Sequence, residues 1–175
     1  MPKNSIRDRF VDIQPYFTVD TAAYAQYDVV GNLPAATNPT CITIPNAAMA
    51  SGTPVKLTHI SLTEKGGQTP ALSIYFFTKK PGSGTYTDNG AVVWGSEDAE
   101  RRTGCVRIVS GDWHTNPSSA ADAFVDLSGI EQMLTPADDS RDIYMLMVAD
   151  SAYDAVAGTD LVIKLKFDRG GDNSR

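Results

Sequence analysis

The residues best suited to acid–base or nucleophilic chemistry in this chain are its two histidines, His59 and His114. Histidine is the usual general base at neutral pH. His59 lies in a strand-like apolar stretch, which predicts a half-buried sheet residue, and His114 follows Trp113 in a predicted surface loop. The chain has no Gly-x-Ser-x-Gly nucleophile motif and no recognisable cysteine-protease motif. We therefore expect that the protein is not an enzyme.

The two cysteines, Cys41 and Cys105, lie far apart in the sequence. Neither has the two-residue spacing or the neighbouring histidine of a zinc or redox site. We expect two free, buried thiols.

Acidic residues cluster at Asp138, Asp139 and Asp142. Such a loop supplies carboxylates that Ca²⁺ accepts as ligands, but it lacks the Asp-x-Asp-x-Asp-Gly order of a known calcium loop. Aspartate is also a common turn former. Phosphate-binding glycine motifs are missing as well, so we predict neither a metal nor a cofactor.

The composition of the chain limits the kinds of partner that it is expected to bind. A net charge of −6 repels nucleic-acid phosphates, and the aromatic run at 75–77 lacks interleaved basic residues, so direct nucleic-acid binding is not expected. No window approaches the roughly 18 apolar residues of a membrane span, and the first residues lack a signal-peptide core. These features predict a soluble protein made in the cytosol.

Strand patterns dominate the chain, and turn formers such as Gly66-Gly67 and Asn89-Gly90 separate them. The predicted strands are Phe10–Ile13, Asp28–Leu33, Thr40–Ile44, Val55–Thr63, Leu72–Phe77, Cys105–Val109, Ala123–Leu127, Ile143–Val148 and Leu161–Phe167. Short helical turns are expected only within Trp94–Arg101 or Gly129–Leu134, and Gly82-Ser83-Gly84 is expected to be a hairpin loop. The pattern predicts an all-β fold, a single β-sandwich or jelly-roll-like domain.

Three of these strands have informative patterns. Leu161–Phe167 alternates apolar residues with lysines, which predicts one wet face. Leu72–Phe77 and Ile143–Val148 are apolar on both faces, so each is either a central strand covered by a loop or a face that docks onto another subunit. In Val55–Thr63 the apolar parity switches, which predicts a bulge near Thr58-His59 or a strand buried on both sides.

The two ends differ from the middle, which predicts an N-terminal arm with a short strand (residues 1–17), a sandwich (18–167) and a C-terminal tail (168–175). Three cations in the arm, Lys3, Arg7 and Arg9, precede Phe10 on an otherwise acidic chain. We expect these four residues to contact a neighbouring protein by charge and by strand addition. Trp113, among small polar residues, is predicted to be an exposed aromatic anchor.

The segment Val19–Gly31, with Asp20-Thr21-Ala22-Ala23-Tyr24-Ala25, resembles the opening motif of small virion proteins of tailed bacteriophages. The resemblance continues at Pro70–Phe77, at Pro81 and Thr87–Ala91, and at Thr159–Leu165, and covers about residues 18–167. It implies a structural protein of the capsid cement or decoration type. Within the segment, Tyr24 is expected to pin the loop to the sandwich, Asp28 to accept backbone N–H groups, and Gly31 to permit a tight bend.

The resemblance and the fold prediction together favour a capsid cement protein on the exterior of a virion. Its expected partners are the major capsid protein and further copies of itself. The alternative is a carbohydrate-binding or host-attachment module, with Tyr86, Trp94 and Trp113 as candidate sugar-stacking residues. A head or tail connector is a third, weaker alternative.

Overall fold

The computed structural model describes residues 9–15, 18–31, 41–115, 122–155, 157 and 161–170. Strand accounts for 48% of the structure and helix for 7%. Two antiparallel sheets form a β-sandwich, so the predicted all-β class is confirmed.

The described residues form ten strands and little helix. The strands are β1 (Phe10–Ile13), β2 (Val29–Val30), β3 (Ile42–Ile44), β4 (Val55–Glu64), β5 (Leu72–Phe77), β6 (Arg102–Ile108), β7 (His114–Thr115), β8 (Ala123–Leu134), β9 (Ile143–Ala149) and β10 (Leu161–Asp168). A short α-helix, α1 (Ser96–Arg101), precedes β6, and a 3-10 turn (Ser110–Asp112) follows it.

The first sheet has the strand order β1-β10-β4-β8-β7. The second has the order β2-β9-β5-β6, and β3 pairs with β9 along the same edge as β2. The core lies between the sheets and includes Leu57, Ile60, Ile74, Phe76, Ile163 and Phe167, all with no exposed surface.

Strand β10 shows how alternation in the sequence sets the faces of the first sheet. Leu161, Ile163, Leu165 and Phe167 are buried, while Lys164 and Lys166 point to solvent. Side chains alternate between the two faces of a strand, so this pattern leaves one face wet. The predicted wet face is confirmed.

Strand β4 contains the predicted irregularity. Its register with β10 pairs Lys166 with His59 but Phe167 with Leu57, so Thr58 is an extra residue. The register with β8 shifts at the same place. One inserted residue reverses the parity of the following side chains, which keeps Leu57 and Ile60 both in the core. The prediction of a bulge near Thr58-His59 is confirmed.

Strands β5 and β9 are central in the second sheet and buried on both faces. Their outward side chains form a second apolar cluster with residues of other segments; its buried members are Val29, Phe77, Tyr86, Leu146 and Val148. Tyr86 belongs to the connection between β5 and α1 and has no exposed surface. Of the two alternatives for these strands, cover by a loop is therefore the one that the structure shows.

Strand β1 confirms the predicted Phe10–Ile13 strand, but it pairs antiparallel with β10 of its own chain. The Arg9 guanidinium donates two hydrogen bonds of 2.8 Å to the carboxylate of Asp168. These bonds lower the pKa of Asp168 to about 2. Strand addition by residues 10–13 therefore occurs within the chain, on the edge of the first sheet. Lys3 and Arg7 lie outside the described residues.

Two local predictions are wrong, one about a helical turn and one about a thiol. The expected helical turn at Gly129–Leu134 is wrong, because these residues continue β8 and Leu134 lies opposite Val55 of β4. The turn expected within Trp94–Arg101 is confirmed as α1. Cys41 is buried as expected, but Cys105 is exposed on β6, so that part of the thiol prediction is wrong.

Candidate protein-contact surface

The connection between β5 and α1, residues 78–95, folds over the outer face of the second sheet. Thr85 and Val93 exchange backbone hydrogen bonds of 2.9 and 3.1 Å, which closes the connection into a small hairpin. Its buried Tyr86 packs with Phe77 and Leu146 of the sheet. We refer to residues 78–95 as the cover loop.

The cover loop holds Trp94 among three aromatic rings. Its ring centroid lies 4.8 Å from that of Tyr75 in an edge-to-face arrangement, 5.9 Å from Tyr86 and 6.3 Å from Phe77. These are the separations at which aromatic pairs attract one another. Trp94 nevertheless remains 38% exposed. The indole is thus fixed in one orientation with part of its surface open to a partner.

A cation adjoins Tyr75, one of the rings around this indole. The Arg102 guanidinium lies 5.8 Å from the ring centroid of Tyr75, within range of a cation–π interaction. We call Tyr75, Trp94 and Arg102 the Trp94 patch. Aromatic residues and arginine are the types enriched at protein interfaces.

A buried carboxylate anchors the cover loop. Asp98 of α1 has no exposed surface and accepts backbone N–H groups from Gly82, Ser83 and Gly84. The Tyr86 hydroxyl donates to the same carboxylate at 2.7 Å. Burial raises the pKa of the Asp98 carboxyl, but the hydrogen bonds from Tyr86, Gly82 and Ser83 outweigh burial, and the pKa lies below its usual value.

Two glycines of the cover loop allow its backbone segments to approach one another closely around Asp98. A Cβ added to Gly84 would lie 2.2 Å from the Val93 carbonyl oxygen, and one added to Gly95 would lie 2.0 Å from Ser83 Oγ. Gly82 has open space at that position. The expected hairpin loop at Gly82-Ser83-Gly84 is part of the long connection between the antiparallel neighbours β5 and β6, and within it these residues enclose Asp98.

A second buried carboxylate joins two of the segments that were quoted for the resemblance to phage virion proteins, Val19–Gly31 and Thr87–Ala91. The Tyr24 hydroxyl donates to Asp88 Oδ1 at 2.8 Å, and Gly31 N donates to the same oxygen at 2.8 Å. Asp88 belongs to the Thr87–Ala91 segment, 64 residues from Tyr24. Burial raises the pKa of Asp88. The two segments therefore meet in space and hold the base of the cover loop against the sheet.

The roles expected for the Val19–Gly31 segment are confirmed. Tyr24 is 1% exposed and stacks on Tyr153 with ring centroids 5.7 Å apart. Asp28 Oδ2 accepts the Ala25 N–H at 2.7 Å, and Gly31 has a φ of +98°. These are contacts of a scaffold, because each one ties a loop to the sandwich.

Trp113 does not form part of any exposed surface. It is 7% exposed and belongs to the main core, and its Nε1 donates to the Pro70 carbonyl oxygen at 2.8 Å. The expectation of an exposed aromatic anchor is wrong. A 3-10 turn in which Asp112 accepts the Val109 N–H at 2.9 Å precedes Trp113, but the indole is buried by packing with core residues that are distant in the chain.

The structure separates the remaining candidate residues. Arg9 is paired with Asp168, and Phe10 is 43% exposed on β1, in the first sheet, whereas the Trp94 patch lies on the second. Of the three aromatic residues considered for sugar stacking, Trp94 alone is exposed, since Tyr86 has no exposed surface. The sequence reasoning missed Asp98 and Arg102. The Arg101-Arg102 pair at the start of a strand was the available signal for Arg102.

The outer face of the first sheet carries a groove of about 570 Å³ with charges of both signs. Its lining includes Asp12, His59, Ser61, Lys164 and Lys166. His59 is half-buried as predicted and its Nε2 lies 2.8 Å from Asp126 Oδ1. Among the described residues, no hydroxyl or thiol is hydrogen-bonded to this imidazole.

His114 is exposed as predicted, although it lies in the short strand β7 rather than in a loop. Within the described ranges, no three His, Cys, Asp or Glu side chains converge as they would around a metal ion. Over the same ranges, no helix has the length and apolar character needed to span a membrane.

Comparison with known proteins adds no assignment. No protein-family model matches the chain, and no curated protein sequence matches it. The resemblance to phage virion proteins therefore stays a prediction that rests on the quoted segments.

Proposed function

We propose that this chain is a structural virion protein of the capsid cement type, which binds the assembled lattice of a major capsid protein. The observation that carries this proposal is the Trp94 patch, an exposed aromatic and arginine surface held rigid by the buried Asp98. Rigid aromatic anchors with partly open surfaces are the usual centres of protein interfaces, since little conformational entropy is lost on binding. The family-like segments support the same class.

The mechanism is thermodynamic. A protein that binds only the assembled lattice stabilises that lattice by mass action, and the effect grows with its free concentration. The free energy contributed by each bound copy can be small, because the lattice repeats the same site many times and the contributions of the copies add.

The experiment compares particles made with and without the chain. Particles without it should assemble but release their genome at a lower temperature, and adding the purified protein back should restore the release temperature. If the release temperature is the same with and without the protein, the cement function is wrong.

The contact surface is tested by Trp94→Ala in the same add-back assay. We expect particle affinity to fall by about 30-fold or more, the loss typical of truncating a central aromatic anchor. Phe124→Ala is a matched control, because Phe124 is a 42% exposed aromatic residue on β8 of the first sheet, whereas the patch lies on the second sheet. Equal losses for the two variants would contradict the assignment of the patch.

A second candidate function, carbohydrate binding, is favoured by one observation: the fixed and partly exposed indole of Trp94. Sugars stack on such rings. Glycan-array binding by the parent protein that is lost in Trp94→Ala would support attachment, and no glycan binding by the parent would remove this candidate.

A further inference from the structure

Strand β6 presents an open sheet edge beside the Trp94 patch. Within the described residues it pairs with β5 alone, and it ends the second sheet. An unpaired edge exposes a row of N–H and C=O groups that can bind another strand. The strand contains neither proline nor lysine, two residues that commonly protect such edges, and its bulge at Thr103 is confined to its first end and leaves Gly104–Ile108 regular.

The edge is held rigidly by the sheet behind it. A Cβ added to Gly104 would lie 2.7 Å from Leu134 Cδ2 of β8, so β6 packs closely on the first sheet. The Thr103 hydroxyl also accepts the Thr135 N–H at 3.2 Å. A fixed edge is suited to strand addition because little order has to be created on binding.

The outward side chains of β6 are basic on an otherwise acidic protein. Arg102, Cys105 and Arg107 are exposed, and they lie opposite Phe77, Tyr75 and Ser73 of β5. Arg107 is 68% exposed although its Nε donates to Asp150 at 3.0 Å. Two β6 edges brought together would double this positive charge, which disfavours a second copy of the chain as the partner.

We propose that an extended acidic segment of another protein adds to β6 as a further antiparallel strand. The residues of β5 opposite Arg102 and Arg107 are four positions apart, at 77 and 73. Arg102 and Arg107 themselves are five residues apart in β6, because Thr103 is an extra residue opposite the Phe76–Phe77 step. An added strand that pairs with β6 in the same register as β5 would place two carboxylates, four residues apart, beside the two guanidinium groups. The residue of the added strand that lies midway between the two carboxylates would be next to Cys105, near Tyr75 of the Trp94 patch. This inference rests on the proposed function, since the capsid shell supplies the segment.

The first test measures binding of charge-reversed variants to purified particles that lack the chain. Arg102→Glu with Arg107→Glu should weaken binding at least about tenfold, because each reversal opposes an acidic partner. Lys164→Glu with Lys166→Glu, on the wet face of β10, is the matched control with the same change in net charge and should stay within about twofold. Equal weakening by both pairs would overturn the proposal.

The second test uses the exposed thiol of Cys105. Its alkylation by iodoacetamide should slow at least about tenfold on the particle, whereas a thiol placed by Ser128→Cys in a Cys105→Ser background should react equally in both states. A photo-crosslinker attached to Cys105 should capture a segment with two acidic residues four positions apart.

The outcomes distinguish the two proposals. A parent protein that binds particles while Cys105 stays fully reactive overturns strand addition and leaves the cement function standing. A parent that does not bind particles overturns both. Ready formation of Cys105–Cys105 disulfide dimers by the free protein, with a doubled mass in solution, would show a second copy on the edge and overturn the acidic partner.

Discussion

Asp98→Ala, in α1, should destabilise the protein more than any single change within the cover loop that Asp98 anchors. The carboxylate accepts three backbone N–H groups and the Tyr86 hydroxyl while fully buried, so its removal leaves four donors without that acceptor. Hydrogen bonds to a charged group contribute about 1.5–3 kcal/mol each but do not add. We expect a loss of about 3–5 kcal/mol in the free energy of unfolding, as for other buried charges whose partners are left unsatisfied.

The assay is urea denaturation followed by tryptophan fluorescence in a Trp113→Phe background, so that Trp94 reports on the cover loop. Glu97→Gln is the control, because Glu97 is exposed on the same helix and forms an ion pair with the partly exposed Arg101. We expect it to change stability by less than about 0.5 kcal/mol. A loss below about 1 kcal/mol for Asp98→Ala would refute the assignment of Asp98 as the anchor.

The same carboxylate predicts a pH dependence with a definite sign. The pKa of Asp98 is lower in the folded protein than in the unfolded chain. Its contribution to stability is therefore complete above the unfolded pKa of about 3.9 and is lost as the pH falls through the lower folded value. Denaturation midpoints between pH 2 and 5 should fall less steeply with acidification in Asp98→Asn than in the parent.

Three further predictions concern packing and hydrogen bonds. Gly84→Ala should cost about 2–4 kcal/mol because its Cβ meets the Val93 carbonyl, whereas Gly82→Ala should be close to neutral; differential scanning calorimetry of the two would show no difference if the close approach is wrong. Tyr24→Phe should cost about 1–3 kcal/mol by removing the hydroxyl that donates to buried Asp88, and an unchanged unfolding midpoint would contradict that role. Trp113→Ala should cost about 3–5 kcal/mol as a core residue, and a loss under about 1 kcal/mol would mean that the indole is exposed in solution.

Alternation along single strands made much of the fold predictable. In β10 the lysines and apolar residues alternate, and in β4 the change of parity predicted either a bulge or a strand buried on both sides, of which the structure has the bulge, at Thr58. Both signals are local, because the face of a side chain depends on its position in its own strand.

Features set by distant partners could not be predicted. The end of β8 pairs with the start of β4, which overrides the helical expectation for Gly129–Leu134. Trp113 is buried because it reaches the Pro70 carbonyl, 43 residues away. Asp98 lies in a segment for which the sequence predicted only a helical turn. Nothing in the sequence shows that three backbone amides of the cover loop donate to its carboxylate.

The arm illustrates a partial success. The strand Phe10–Ile13 was predictable from its pattern, but its partner was not, because an edge strand can pair with either its own sheet or a neighbour's. The Arg9–Asp168 pair at 2.8 Å favours its own sheet.

The most direct test of the central claim is the copy number of this chain in purified virions, measured by quantitative mass spectrometry against the major capsid protein. A cement protein repeats with the symmetry of the shell, so we expect on the order of hundreds of copies per particle. A dozen or fewer copies would place the chain in the tail or at a unique vertex, and its absence from the virion would contradict the structural function altogether.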